Sequence, residues 1–172
     1  MNKKIAQKQE DTSFESVVSV RRVTKVTKGG KRFAFSAFVV SGDQDGSVGI
    51  ALGKSREVSS AIAKATVKAR KERIKISLRG NTIPYNVTGK HGATTVVLCS
   101  ASKGTGLIAG GSVRAVMEAL GVKDVLAKII GSTNPINVVR ATINALKHIS
   151  TPEYIASKRG KSVDAVTRGQ DA

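Results

Sequence analysis

From Phe14 to Thr27 apolar and polar residues alternate, with Val18, Val20, Val23 and Val26 set among Ser, Arg, Thr and Lys. This period-two pattern predicts a half-buried strand. Lys28-Gly29-Gly30-Lys31 follows as a tight turn, its two glycines able to take positive φ. Phe33, Phe35, Ala37 and Val39 then alternate with Arg32, Ala34, Ser36 and Phe38 in a second strand. A turn over Ser41 to Gly46 leads to a third strand, Ser47 to Leu52, so residues 17–53 read as a three-stranded antiparallel meander. A helix comes next, with Ser55 as a candidate cap and Glu57 and Val58 opening it. Val58, Ala61, Ile62, Ala65 and Ala69 follow the i, i+3, i+4, i+7, i+11 spacing of one apolar stripe. Lys64, Lys68, Lys71 and Lys75 share that spacing as a basic stripe, either a solvated face or one turned to a polyanion.

The second half has a different order. Gly80-Asn81 marks a turn or boundary. Tyr85–Thr88 and Thr94–Cys99 read as strands joined by Gly89-Lys90-His91-Gly92. Ser112–Leu120 reads as a short helix stopped by Gly121, and Val125–Ile130 as a strand. Asn134-Pro135 opens a helix through Ile136, Val139, Ile143 and Leu146, and Thr151-Pro152-Glu153 opens a last short one. Lys158 onward is expected to be loosely held, and residues 1–13, polar and aperiodic, to form a mobile tail. The second half thus reads β-β-α-β-α, and no internal repeat is visible.

Charge changes the picture. Lys and Arg total 29 against 12 Asp and Glu, a formal net charge of +17. Such an excess points to a polyanionic partner, with nucleic acid ahead of an anionic membrane, because no basic amphipathic anchor stands at either end. No apolar run approaches the roughly 18 residues of a membrane span, and Met1–Glu10 lacks the apolar region of a secretory signal. Cys99 alone makes neither an internal disulfide nor a zinc site; a buried thiol in a reducing cytosol is the expectation. With no Trp, four Phe and two Tyr, a stacking platform of many aromatics is not expected.

Arg21, Arg22, Lys25, Lys28, Lys31 and Arg32 surround the first hairpin with no acid among them. Period two puts Arg21, Val23 and Lys25 on one face, so the cations do not all point one way. A protruding basic tip suits phosphate contact or a groove of folded RNA; the alternative is an edge that resists strand-to-strand aggregation. Gly53-Lys54-Ser55-Arg56, where strand enters helix, reads as a phosphate site or a capped turn. Gly104-Thr105-Gly106-Leu107-Ile108-Ala109 matches the dinucleotide fingerprint G-x-G-x-x-G/A, with Asp124 twenty residues past Gly104 as a ribose-binding candidate. Against it, Asp124 precedes the next apolar run, the half-domain is short, and the net charge has no role there. Close backbone approach to RNA or protein, or turn geometry alone, are the other readings. His91 and His148 have no carboxylate at a recognisable spacing, no G-x-S-x-G occurs, and the loop lacks the Gly-Lys-Ser/Thr of a P-loop. His91 reads as a surface donor in its turn. No enzyme, cofactor or metal site is expected.

Four stretches carry a family resemblance: Val26–Gly30, Val48–Val58, Gly104–Val116 and Gly131–Thr142, with Lys158–Val163 beyond them. In order and spacing the chain resembles the bacterial form of the universal small-subunit ribosomal protein number five. Leu52 stands where that family often has an aromatic, and Ser55 where it often has Ala. The resemblance implies an α+β chain: a double-stranded-RNA-binding-like β-β-β-α domain over 14–77, then a β-β-α-β-α domain with a left-handed crossover over 83–149, and a carboxyl-terminal helix and tail over 150–172. It implies a cytoplasmic structural constituent of the small ribosomal subunit at the head–body junction, without cofactor or small-molecule substrate. Its partners would be small-subunit ribosomal RNA and ribosomal proteins four and eight, with messenger RNA nearby, and it would support assembly and translational accuracy. RNA contacts are then expected from Arg21, Arg22, Lys25, Lys28, Gly29, Gly30, Lys31, Arg32, Lys54, Arg56, Lys64, Lys68, Lys71 and Lys75. Hairpin substitutions are linked in the family to spectinomycin resistance. Gly104, Thr105, Gly106 and Arg114 would face ribosomal protein four, where substitutions alter fidelity, and the carboxyl-terminal part would lie toward ribosomal protein eight.

Overall fold

The structure, a computed structural model, describes residues 13–167. The expected amino-terminal tail, Ser13 apart, lies outside the described residues, as do residues 168–172 of the carboxyl-terminal tail. The first half runs β1 (Phe14–Thr27), β2 (Gly30–Gly42), β3 (Ser47–Ser55), α1 (Val58–Lys71) and β4 (Ile74–Lys75). Its sheet has the order β1-β2-β3-β4 with antiparallel pairings throughout. The meander is therefore extended by β4, in which Ile74 pairs with Val48 and Lys75 with Ser47. Lys75 belongs to that sheet edge, not to the helix, so the helical stripe is Lys64, Lys68 and Lys71. Two residues carry no readable period, which is why helical spacing ran on through them.

The register separates the two faces of this sheet. Ala37 pairs with Gly53, Val39 with Ala51 and Ser41 with Gly49. On that face of small residues α1 lays the fully buried Ala61, Ala65 and Ala69. A Cβ on Gly49 would strike the carbonyl of Ala69, and one on Gly53 that of Ala61. The alanine stripe and the glycines thus let helix and strand backbones meet closely. Phe38, Val40 and Val48 leave from the other face into the main core.

The second half runs β5 (Val87–His91), β6 (Thr94–Ser100), β7 (Leu107–Ile108), α2 (Gly111–Leu120), β8 (Val125–Gly131), α3 (Pro135–Lys147), α4 (Pro152–Arg159) and α5 (Val163–Thr167). Its sheet has the order β5-β6-β8-β7, antiparallel except for β7 and β8, which are parallel neighbours joined through α2. The expected turn over Gly89–Gly92 is corrected: Gly89, Lys90 and His91 continue β5, and the chain reverses at Gly92-Ala93. Gly89 serves packing, since a Cβ there would meet the Ala141 carbonyl and Ala145 of α3. Tyr85 precedes the strand; its hydroxyl donates to the His148 carbonyl (3.2 Å) and accepts from Ser150 N (2.8 Å), pinning the end of α3. Lys158 and Arg159 are not loose: they complete α4, which Thr151 caps by accepting from Tyr154 N.

One hydrophobic core joins the halves, with Phe38, Val40 and Val48 meeting Val96 and Leu98, Val116 and Met117 of α2, and Val139 and Leu146 of α3. At their junction the β2–β3 loop caps α2. Gln44 N donates to the Ala119 carbonyl (3.0 Å) and Gly46 N to that of Leu120 (3.1 Å). These carbonyls lack partners within their own helix, so the loop supplies what the helix end requires. Gly121 ends α2 in the left-handed region at φ 83°, as its position predicts. Asp43 shapes the loop by accepting from Asp45 N (2.9 Å) and Ser47 N (2.8 Å). Partial burial pushes its carboxyl up, but these hydrogen bonds together outweigh that and hold it below its ordinary value. No described helix is long and apolar enough to cross a membrane.

Candidate nucleic-acid interface

The β1–β2 hairpin leaves the core at about Ala37. Apart from the partly covered Thr27, everything from Val20 to Phe33 is exposed. The turn is closed by Thr27 Oγ1 donating to the Gly30 carbonyl (3.0 Å), and Gly30 sits at φ 132°, where a side chain is disfavoured. Lys28 and Lys31 flank it. In the ladder Lys25 lies directly opposite Arg32, and Arg22 opposite Phe35. Like charges placed opposite each other in a sheet repel. The ion pairs among the described residues are Arg70–Glu15 (2.7 Å) and Lys68–Glu72 (3.8 Å), so none of the described carboxylates pairs with a cation of the arm from Val20 to Phe33. Among the described residues this arm therefore holds unneutralised charge, and the like-charge opposition costs it stability.

Its two faces differ chemically. Arg21, Val23 and Lys25 share a face with Ser36, Ala34 and Arg32, and the next strand adds Lys54, which pairs with Ser36. Arg21 Nη2 also donates to Asn134 Oδ1 at the start of α3 (3.3 Å). The opposite face carries Arg22, Val26, Lys31, Phe33 and Phe35, with the Arg22 guanidinium 5.0 Å from the Phe33 ring centroid. Phe33 is 52% exposed and Val26 72%. A count of aromatics over the whole chain hides Phe33; its position two residues past Lys31 at a basic tip is the signal that singles it out.

At Gly53–Arg56 the expected cap is corrected. Ser55 ends β3 opposite Phe35 and caps nothing; Glu57 is the N-cap of α1 and its carboxylate accepts from Ser60 Oγ (3.3 Å). That acid already complements the positive helix end and opposes a phosphate there. Lys54 and Arg56 remain as exposed cations. On α1, Lys64, Lys68 and Lys71 are exposed around the apolar Val67, Lys68 being shared with Glu72.

The glycine loop after β6 has its own occupant. Asp124, 5% exposed, turns its Oδ1 onto the amides of Gly104 (3.0 Å) and Gly106 (2.9 Å). A dinucleotide pyrophosphate needs such amides, and a ribose acid must be free; here each satisfies the other, and the dinucleotide reading falls. Gly104 and Gly106 adopt φ 92° and 75° with open space where a Cβ would stand. The glycines answer a backbone requirement, and the loop's outer surface stays open to a partner. Thr105 Oγ1 donates to the Ser102 carbonyl (2.8 Å) and Arg114 Nη2 to that of Leu107 (3.3 Å), so both side chains brace the loop. Among the described residues no group of three or more His, Cys, Asp or Glu converges as metal ligands would.

Comparison with known proteins gives two matching families. Ribosomal protein S5, N-terminal domain, matches residues 14–77, and Ribosomal protein S5, C-terminal domain, matches residues 89–159. The small ribosomal subunit protein uS5 of Hydrogenovibrio crunogenus is 54% identical over 166 residues, covering 96% of this chain and 98% of its own. The proteins of that name from Coxiella burnetii and Legionella pneumophila are 54% identical over 152 residues and 55% identical over 155, covering 88% and 90% of this chain and 90% and 92% of their own.

Proposed function

Since the chain belongs to the ribosomal protein S5 family, we propose that it acts at the head–body junction of the small ribosomal subunit, with the β1–β2 hairpin as its principal RNA contact. It is a structural, non-enzymatic ribosomal protein of the bacterial cytoplasm, and its partners are ribosomal RNA and other ribosomal proteins. The observation that carries the proposal is the Lys25–Arg32 juxtaposition on the exposed arm of the hairpin, Val20 to Phe33, which has no carboxylate of its own. Phosphates from converging RNA helices would neutralise it, and the protein would act as an electrostatic clamp between them. Lys54, Arg56 and the lysines of α1 would extend the contact, and Phe33 with Arg22 over its ring would meet a base or ribose.

In this reading residues 14–77 form a double-stranded-RNA-binding-like unit. Residues 83–149 form a second unit with a left-handed crossover at β7–α2–β8, and residues 150–172 a carboxyl-terminal extension. The Gly104–Arg114 segment would face ribosomal protein four and set decoding accuracy near the messenger entry path. The carboxyl-terminal part would meet ribosomal protein eight. Sedimentation of a cell lysate in high salt tests the core of it. Stoichiometric presence of the chain in the small-subunit peak is expected, because casual electrostatic binders are stripped as salt rises. Recovery only in the soluble top fractions would reject the structural role.

A further inference from the structure

A cleft of about 440 Å³ opens between the two halves of the molecule, away from the basic hairpin tip. Its floor is aliphatic: Ile50 and Ile74 from the first sheet and Ile143 from α3. Its α3 side is basic, with Arg140 and Lys147 exposed on one face of the helix and His91 at the end of β5 beside them. Neither Arg140 nor Lys147 has a carboxylate partner among the described residues. Asn144 stands between them along the helix and also lines the cleft; its Nδ2 donates to the Lys90 carbonyl (3.1 Å), which leaves its Oδ1 free to accept. Glu72, which lines the cleft from the first half, is engaged among the described residues by the long 3.8 Å contact with Lys68.

We propose that this cleft receives one unpaired nucleotide of an RNA, its base on the aliphatic floor and its flanking phosphates on Arg140 and Lys147. The inference rests on the RNA-binding reading above and adds a second, separate point of contact. Three observations favour a nucleotide. The volume lies in the range of small-ligand sites, which are mostly apolar with a few placed polar groups. Arg140 and Lys147 are seven residues apart, about 10.5 Å along the helix axis, so one phosphate on each side of a single extruded base can be met. Asn144 Oδ1 and the Glu72 carboxylate are acceptors for exocyclic amines, and His91 adds a ring nitrogen; splayed-out bases are read by such groups on their edges.

The test titrates the full chain with single-stranded RNA tetranucleotides of adenine and of uracil, with inorganic phosphate and a glutamate hexapeptide as comparison probes. It follows the NMR resonances of His91, of the Ile50, Ile74 and Ile143 methyls, and of the hairpin amides. Saturable shifts in the cleft are expected with the adenine tetranucleotide, weaker ones with the uracil tetranucleotide, whose base has no exocyclic amine, and none with phosphate. Asn144→Trp, which fills the cleft without changing charge, and Arg140→Glu with Lys147→Glu should each weaken them about tenfold, a loss of some 1.4 kcal/mol. Hairpin shifts should persist in both variants, which also reports that they fold. Hairpin shifts with a silent cleft overturn this proposal and leave the hairpin reading standing; silence at both overturns both. Equal response to inorganic phosphate, or tighter saturation by the glutamate peptide, also overturns it, in favour of a bare anion site or an acidic protein segment.

Discussion

Arg21 on the basic hairpin and Asn134 at the start of α3 are 113 positions apart in the chain, yet the guanidinium donates to the carboxamide oxygen over 3.3 Å. Asn134 occupies the N-cap of α3 but makes no capping bond with its side chain; that oxygen is spent on the hairpin. Removing it should loosen the hairpin base more than the helix. A double-mutant cycle with Arg21→Ala and Asn134→Ala is expected to give a coupling below about 1 kcal/mol, the scale of a single exposed hydrogen bond. Amide exchange in Val20–Val23 should rise in Asn134→Ala while α3 stays protected.

The charge at the hairpin tip predicts a salt signature. Lys28→Glu with Lys31→Glu should weaken binding to small-subunit ribosomal RNA. It should flatten the log affinity against log salt plot by about one unit of slope per lost phosphate contact. Both lysines are exposed, so thermal stability should change little. Unchanged affinity and slope would remove the tip from the interface.

Asp124 is the internal ligand of the glycine loop. In Asp124→Ala the amides of Gly104 and Gly106 lose a charged acceptor, and the chain should lose about 1.5–3 kcal/mol of stability. Exchange of those two amides should rise first. Asp124→Asn keeps an acceptor oxygen and should fall between the two. Equal melting of wild type and Asp124→Ala would show that the loop holds without the carboxylate.

Gly42 is where β2 touches the end of α2, and a Cβ there would strike the Ala119 carbonyl. Backbone on both sides leaves nothing flexible to yield, so Gly42→Ala should cost about 1–3 kcal/mol, visible as a lowered melting temperature. Gly29→Ala, with open space around its Cβ, should stay within about 0.5 kcal/mol of wild type.

Asp43 predicts the acid limb of stability. Its folded-state pKa is lowered by the hydrogen bonds from Asp45 and Ser47, which outweigh its partial burial. The stabilisation it contributes is therefore full above the ordinary carboxylate range. It drains away as pH falls through that range and then through the depressed folded value. Asp43→Asn should flatten the stability profile in that window, measured by denaturant melts at successive pH values.

How much of this was legible in the sequence depended on range. Val18 to Val39 alternate over two long strands, and Ala61, Ala65 and Ala69 repeat over three helical turns, so the elements they form could be read locally. β4 and β7 have two residues each and exist only because a neighbouring strand offers a ladder. Gly89 read as a turn because a glycine for close helix packing and a glycine for reversal look alike until Ala141 and Ala145 are placed over it. Asp124 stood twenty residues from Gly104, a spacing that fitted a ribose ligand. Only the fold revealed that the acid and the glycine amides satisfy each other. At the interface the cations were countable in advance, but the Lys25–Arg32 opposition needed the register.

The amides of Gln44 and Gly46, which close off the end of α2, belong to a loop made long before that helix. During synthesis the first sheet leaves the exit tunnel with those donors unfilled and with Phe38, Val40 and Val48 facing solvent. Some seconds of elongation separate the loop from Ala119 and Leu120. Throughout that interval the nascent first half exposes a sticky apolar face beside a strongly cationic arm. Nascent-chain protection by chaperones, or early docking on an RNA transcript, would be needed most at that stage of its life.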